Sequence, residues 1–390
     1  MRTLLSRPAP VLFACLFASQ AGLLVLSPVL TDIAREFGIS TGAAGQLRTI
    51  SGATGGVTAL ALALARRRPG LRALLSHGAA LLLGGSLLSA VAPSFVVLAV
   101  AQGVTGIGLG LLVAIAIAAA GEWSSGEERP RTLAWAIAGM PVAWIVGMPA
   151  AGAAASLGWR MSWLVPAVAA LAVLGLLRLR PADLRTNRTG DAATAAWRRP
   201  EVARFTAAEL LANAAWASLL TYSGALLIES YGASRETVAL GLSAVAAAMV
   251  PGTFLGRRRA PTATIGMLVA LTIVQACLVT AVGVVRPDTD VTLSLLMAMA
   301  FINGWRSVIA STVGMDSAPD DKVAVMSMRA SANQFGYLLG AATGALALAV
   351  GGFEILGFAL AGLFGLGALL HTRLSYAAAS AQRPAMQSAT

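Results

Sequence analysis

The chain has 390 residues, of which 57% are hydrophobic and only 12% are charged. Because a water-soluble domain carries about 25% charged residues, this composition excludes a soluble protein and requires an apolar solvent such as a lipid bilayer. The net charge of +11 would suit nucleic-acid binding. However, most of the arginines lie in short segments between apolar runs, and we therefore expect no nucleic-acid partner.

Twelve apolar runs are each long enough to cross a membrane. A transmembrane helix needs about 20 mostly apolar residues, whereas a barrel strand needs only about ten alternating ones. The runs are therefore predicted to be helices, which satisfy their own backbone hydrogen bonds in lipid. In chain order they are 11–31, 41–65, 73–92, 95–120, 132–155, 160–178, 205–228, 237–256, 262–285, 291–312, 324–350 and 353–374. The first run also resembles a signal peptide, but no convincing cleavage site follows it.

The arginines indicate how these spans are oriented. Cytoplasmic loops of membrane proteins collect Lys and Arg, and most of the 28 basic residues fall on the side that holds the N-terminus. We therefore predict a multi-pass protein of a bacterial inner membrane with both termini in the cytoplasm. The predicted domains are an N-terminal six-helix bundle (1–178), a cytoplasmic linker (179–204), a C-terminal six-helix bundle (205–375) and a cytoplasmic tail (376–390).

The two halves of the chain repeat weakly. Three pairs of short segments occur in the same order and at nearly constant spacing, namely 37–40 with 231–234, 66–69 with 257–261, and 102–103 with 303–304. Transporters are commonly built from such repeats, with the substrate site between them. The predicted fold class is thus an all-α membrane protein with twelve transmembrane helices in two pseudo-symmetric six-helix bundles.

Motifs in spans one and five carry a family resemblance. Span one contains Gly22 and Pro28 in a G-x5-P pattern. Span five reads Gly147-x-Pro149-x-x-Gly152 and is followed by Gly-Trp-Arg at 158–160. These patterns resemble those of the twelve-span drug and sugar exporters of the major facilitator superfamily, including the arabinose-efflux-like and chloramphenicol-exporter-like proteins.

The resemblance implies a secondary active transporter that exports a small organic molecule (a drug, sugar or metabolite) by alternating access, with proton antiport as a candidate coupling. The implied partners are this substrate, the lipid bilayer and protons; we expect a monomer without a cofactor or a metal. The implied inner-loop gating residues are Arg66, Arg67, Arg68, Gly70, Arg257, Arg258 and Arg259. The first of these loops lacks the family's acidic residue, and Gln102 stands where proton-coupled members carry an arginine, so proton coupling stays open.

Polar side chains inside the spans are candidates for the site, because a polar group in lipid is costly and usually faces a cavity or a partner. The predicted substrate-cavity residues are Gln20, Gln102, Asn213, Trp216, Tyr222, Asn303, Arg306, Asn333 and Gln334. The predicted coupling residues are Glu209, Asp32 and Arg306, since a proton carrier must be an acid whose pKa changes between states. Alternatively, the amides only bridge neighbouring helices, and Glu209 lies in the headgroup region.

Several further residues receive structural interpretations. Arg48 and Arg329 are interpreted as snorkelling or interfacial side chains. His77 and His371 are interpreted as isolated histidines, which argues against a metal site. Small or rigid residues are predicted to let helices pack closely or slide during transport; they are Gly22, Pro28, Gly106, Gly110, Gly147, Pro149 and Gly152.

Two other classes of protein stay open on the sequence. A membrane sensor or partner-binding protein could keep the fold without transporting, and the missing acidic residue and Gln102 are compatible with it. A membrane-embedded enzyme is disfavoured because the spans contain no histidine cluster, paired carboxylates or nucleophile motif.

Overall fold

A computed structural model describes residues 8–64, 70–124, 128–179, 199–317 and 322–387. The predicted gating residues Arg66, Arg67 and Arg68 and most of the predicted linker lie outside these ranges. The described helices, in chain order, are α1 (Pro8–Leu24), α2 (Leu26–Glu36), α3 (Thr41–Leu64), α4 (Leu71–Ala90), α5 (Phe95–Glu122), α6 (Glu128–Val142), α7 (Met148–Ser156), α8 (Leu164–Arg178), α9 (Pro200–Tyr231), α10 (Arg235–Arg259), α11 (Ile265–Val284), α12 (Thr289–Ser317) and α13 (Lys322–Gln387).

These helices confirm the predicted twelve-span, all-α architecture. Ten described segments are long and apolar enough to span a membrane, and the last of them, Met328–Arg373, has 46 residues and accounts for two spans. Its two spans meet at Gly351 and Gly352, where the backbone leaves helical geometry. Helix α3, with 24 residues rich in glycine and threonine, supplies the remaining span. Spans one and five consist of α1 with α2 and of α6 with α7, respectively.

Two ends of the predicted domains differ from the structure. Helix α9 begins at Pro200, inside the predicted linker, because proline is well suited to a first helical turn, where its missing N–H costs nothing. Helix α13 continues to Gln387, beyond the predicted end of the second bundle at 375.

Proline interrupts span one and span five. Pro28 has no N–H to donate to the carbonyl of residue 24, four residues earlier, and α1 ends at Leu24. In span five, Pro149 likewise has no N–H to donate to the carbonyl of Ile145, and a π-helical turn, Ala143–Gly147, joins α6 to α7. That carbonyl instead accepts a 2.6 Å hydrogen bond from the Ser243 hydroxyl of α10, in the other bundle. The proline of the span-five motif therefore creates an acceptor that joins the bundles.

The two bundles meet mainly on one side of the molecule. We call this side the turn face, because it carries the turns at 37–40 and 232–234, and the opposite side the arginine face, because α10 ends there with Arg257–Arg259. Toward the turn face one continuous hydrophobic core contains buried residues of both bundles, such as Leu30 and Leu227. Toward the arginine face the buried core divides into separate clusters belonging to the first bundle and to the second.

Candidate functional site

A buried ion-pair network occupies the second bundle. It is centred on Glu209 of α9, whose side chain is only 2% exposed. One carboxylate oxygen forms an ion pair with Nη2 of Arg306 from α12, and the other accepts a 2.8 Å hydrogen bond from Nε of Arg329 in α13. One carboxylate thus holds two guanidinium groups from two helices. We call these three residues, with His371, the Glu209 cluster.

Hydroxyl groups accept further hydrogen bonds from the two arginines. Nε of Arg306 donates to the hydroxyl of Thr272 on α11 at 2.9 Å. Nη1 and Nη2 of Arg329 donate to the hydroxyls of Ser311 and Ser307 on α12 at 3.0 and 3.3 Å. A buried charge is costly unless it is paired and hydrogen-bonded. These pairs and hydrogen bonds join α9, α11, α12 and α13.

The structure corrects two interpretations of residues in this cluster. His371 is not isolated: it is fully buried, and its Nε2 lies 3.5 Å from a carboxylate oxygen of Glu209. Arg329 does not snorkel to water, since its side chain is only 15% exposed and pairs with Glu209. Glu209 lies nine residues into α9, about 13 Å from the start of that helix.

The predicted amides mostly bridge neighbouring helices. Asn213 donates to the Asn333 carbonyl at 2.7 Å, which joins α9 to α13. Gln275 of α11 donates to the side chain of Asn303 at 3.1 Å. Gln102 is 1% exposed and donates to the Ser89 hydroxyl of α4 at 3.1 Å, so it faces the interior of the first bundle.

The remaining cavity candidates lie where helices of one or both bundles converge. Gln20 of α1 is half-buried and accepts a 3.0 Å hydrogen bond from the indole of Trp144. Trp216 is half-buried on α9. Tyr222 is fully buried and donates to the Ala341 carbonyl at 2.9 Å. Gln334 is buried on α13, next to α3 of the first bundle.

Asp32 forms an ion pair between the bundles at the turn face. Both of its carboxylate oxygens accept hydrogen bonds from Arg235 of α10, at 2.9 and 2.6 Å. Nearby, Thr41 of α3 hydrogen-bonds to Glu229 of α9. These contacts fasten the two bundles on the same side as the shared hydrophobic core.

The motif glycines lie at close helix contacts. A Cβ on Gly106 would overlap Ser51 and Thr54 of α3, and a Cβ on Gly110 would overlap the backbone of α3 at Gly55. Gly152 faces Ala239 across the bundle interface. Within the first bundle, a Cβ on Gly22 would lie 2.9 Å from Leu82, and one on Gly147 would lie 3.0 Å from Leu24. Of the predicted gating residues within the described ranges, Gly70 precedes α4, and Arg257, Arg258 and Arg259 end α10.

Arg48 is a buried charge whose importance the sequence analysis missed. It belongs to α3, is 1% exposed, and therefore does not snorkel to water. Nη2 donates to the Leu23 carbonyl, while Nε and Nη1 have no hydrogen-bond partner within the described chain. The guanidinium lies 5.6 Å from the ring centroid of Tyr337.

A narrow apolar crevice lies elsewhere in the second bundle, between α9, α11 and the second half of α13. Its lining includes Leu219, Val279 and Phe353 and carries almost no polar surface. It is separate from the Glu209 cluster, and we regard it as a packing groove rather than the substrate site. Among the described residues, no group of three or more His, Cys, Asp or Glu side chains could hold a metal ion.

Comparison with known proteins identifies the family. The sequence profile of the Major Facilitator Superfamily matches residues 12–328. An uncharacterized MFS-type transporter, YfhI of Bacillus subtilis (strain 168), is 31% identical over 177 residues, which cover 44% of this chain and 43% of that protein. The fold resembles a bacterial homolog of the human lysosomal transporter Spinster, solved in an inward-facing and unoccupied conformation. That match has a TM-score of 0.69 and 15% sequence identity and covers 97% of this chain and 95% of the other. The chain therefore belongs to the Major Facilitator Superfamily, a family of transporters, and is a multi-pass membrane protein.

Proposed function

We propose that the protein is a proton-coupled secondary transporter that exports a small organic molecule from the cytoplasm by alternating access. The observation that carries this proposal is the divided core: the bundles share one hydrophobic core at the turn face and have separate cores at the arginine face. A pair of bundles that meets mainly on one side is suited to rocking about a central site.

The arginine face is the cytoplasmic face in this proposal, and the membrane is the inner membrane of a bacterium. Arginine-rich ends of spans favour the cytoplasmic side, and α10 ends with Arg257–Arg259. Both termini then lie in the cytoplasm, and the structure corresponds to a conformation that admits substrate from that side. The inward-facing state of the Spinster homolog, a protein of similar fold, is consistent with this assignment.

Substrate binds between the bundles, beside α1, α9 and α13. Gln20 and Trp216 are half-buried polar or amphipathic side chains on helices of different bundles. Asn333 and Gln334 lie on α13, which packs against both α3 and α9. Gln102 and Tyr222 do not contact the substrate directly in this proposal, because their own hydrogen bonds hold them against Ser89 and Ala341.

Glu209 is the proton-carrying residue in this proposal. As a carboxylate it balances Arg306 and Arg329, which belong to α12 and α13. Protonation removes that negative charge and leaves two buried guanidinium groups facing a neutral acid, which weakens both ion pairs. Nε2 of His371 lies 3.5 Å from a carboxylate oxygen of Glu209 and completes the cluster. The protonated and deprotonated cluster therefore favours different arrangements of α9, α12 and α13, which shifts the population of conformations.

Glu209→Gln tests this coupling in proteoliposomes. We expect the variant to exchange substrate across the membrane without concentrating it against a gradient when a proton gradient is imposed, since glutamine cannot ionise. Glu209→Asp, which keeps the charge, should retain part of the accumulation, and Glu354→Gln, which changes an exposed acid on α13, should behave like the wild type. Accumulation by Glu209→Gln equal to that of the wild type would remove Glu209 from the mechanism.

Transport itself is tested against the sensor alternative with the wild-type protein. Ligands are first found by the rise in melting temperature of the purified protein across a panel of antibiotics, sugars, nucleosides and organic acids. Flux of a stabilising compound into proteoliposomes supports the proposal. Stabilisation without any flux would favour a membrane sensor that keeps the fold.

A further inference from the structure

Arg48 is a buried cation that lacks a counter-ion in the described chain. It lies seven residues after Thr41, about 10 Å from the start of α3. Only Nη2 is hydrogen-bonded, to the Leu23 carbonyl. Nε and Nη1 are without a partner, and none of the ion pairs of the described residues includes Arg48.

No buried acid among the described residues is left to balance the charge of Arg48. Among the described residues, the buried acids are Asp32 and Glu209, and each already forms ion pairs with other arginines. An uncompensated guanidinium in a membrane interior is strongly unfavourable, and such residues usually mark a functional site. The ring of Tyr337 offsets part of that cost but cannot accept two further N–H groups in the guanidinium plane.

The position of Arg48 is at the junction of the two bundles. Its guanidinium lies between Leu23 of α1 and Tyr337 of α13. One turn earlier, Gly45 leaves room for the hydroxyl of Tyr222 from α9. One turn later, Gly52 touches the backbone of α13 at Leu338. Separation of the bundles at the turn face would therefore expose the surface on which Arg48 lies.

We propose that Arg48 binds an organic anion, and that the transported substrate carries a carboxylate or a phosphate that occupies its free Nε and Nη1 groups. An arginine presents these donors as a planar fork that matches both anions. Arg306 and Arg329 share a single carboxylate, so the Glu209 cluster adds positive rather than negative charge to the same interior. A cationic substrate would be repelled by both groups. This inference rests on the proposed transport function and names the charge class of the substrate.

A first experiment asks whether Arg48 is structural, and it needs no substrate. Arg48→Met should melt at the same temperature as the wild type or higher, because it removes an unpaired buried charge. Arg178→Gln, at an exposed position, is the control for loss of an arginine. A lower melting temperature for Arg48→Met than for both proteins would assign Arg48 a structural role and overturn the proposal.

A second experiment asks whether position 48 becomes accessible. Arg48→Cys is made in a chain whose native cysteines, Cys15 and Cys277, are replaced by serine. A membrane-impermeant thiol reagent added from the turn face should label the introduced thiol whenever the bundles separate there, and faster when Asp32→Asn weakens the contact between the bundles. An absence of labelling in both backgrounds would contradict a binding role.

The closing experiment uses the protein in phosphatidylcholine vesicles and measures the flux of five compounds. Two are anions, benzoate and glucose 6-phosphate; two are their neutral counterparts, benzamide and glucose; and one is the cation benzylamine. We expect the wild type to carry at least one of the anions. In Arg48→Gln that flux should fall at least about tenfold, as expected for a lost charged hydrogen bond. Arg48→Lys should retain part of it. Flux that is independent of Arg48 would refute the inference and leave transport intact. An absence of wild-type flux for every compound would refute both. If only vesicles containing phosphatidylglycerol raised the melting temperature, and only with Arg48 present, the anion would be a lipid headgroup.

Discussion

Asp32→Asn should weaken the contact between the bundles at the turn face. Asp32 is 8% exposed and accepts two hydrogen bonds from Arg235, whose side chain is 40% exposed. Hydrogen bonds to charged groups contribute about 1.5–3 kcal/mol when buried, while exposed ion pairs contribute about 0.2–1 kcal/mol. For this half-exposed pair we expect about 1.5 kcal/mol, which changes the ratio of conformations closed and open at the turn face roughly tenfold.

Distances between spin labels measure that ratio directly. Labels at Leu157 and Glu236 lie on opposite bundles at the turn face; both positions are exposed, the first directly after α7 and the second in the first turn of α10. In Asp32→Asn the population at long distance should rise about tenfold relative to the wild type. Arg35→Gln is the matched control, since Arg35 lies 3.7 Å from Asp32 but is 75% exposed.

The double variant Asp32→Asn with Arg235→Gln separates the pair from its surroundings. If the two residues act through each other, the double variant should shift the distances no further than either single variant. An unchanged distance distribution in Asp32→Asn, with the protein folded, would refute the assignment of this ion pair as a contact that keeps the turn face closed.

Two other contacts give predictions of opposite kinds. Ser243→Ala removes the hydrogen bond to the Ile145 carbonyl and should favour the open turn face by about 1 kcal/mol, which raises the long-distance population about fivefold with the same labels; no change would mean that this bond does not hold the bundles together. Gly340→Ala places a Cβ against the carbonyl of Ala214 and should reduce the free energy of unfolding by about 1–3 kcal/mol, whereas Gly362→Ala meets open space and should stabilise the helix by up to about 1 kcal/mol, both followed by thermal melting; equal effects at the two positions would contradict the packing argument.

The spans could be predicted closely, because hydropathy depends on each segment alone. The predicted break between residues 350 and 353 coincides with the non-helical Gly351 and Gly352. Span two, α3, was also found, although it is not among the ten segments that are apolar enough by composition alone. Its glycines and threonines lower its hydropathy. They are accommodated in the span because its glycines pack against neighbouring helices rather than lipid.

The pairing of side chains from different helices could not be predicted. Helical spacing tells which residues share a face of one helix, but not which helix packs against that face. Glu209 is 97 residues from Arg306 and 120 from Arg329, and Asp32 is 203 residues from Arg235. The same limit explains why Arg48 was interpreted as a snorkelling side chain. A signal was present in the sequence: a lone arginine two turns into a span, with no acidic residue at helical spacing.

The very short link inside α13 has a mechanical consequence. Only Gly351 and Gly352 separate its two spans, and Gly352 adopts the left-handed conformation (φ 68°) that favours glycine. Arg329 precedes this hinge and His371 follows it, yet both reach the same carboxylate of Glu209. Because the link is so short, neither span of α13 can move far without displacing the other. A change in the charge of Glu209 therefore acts on both spans of this 66-residue element together.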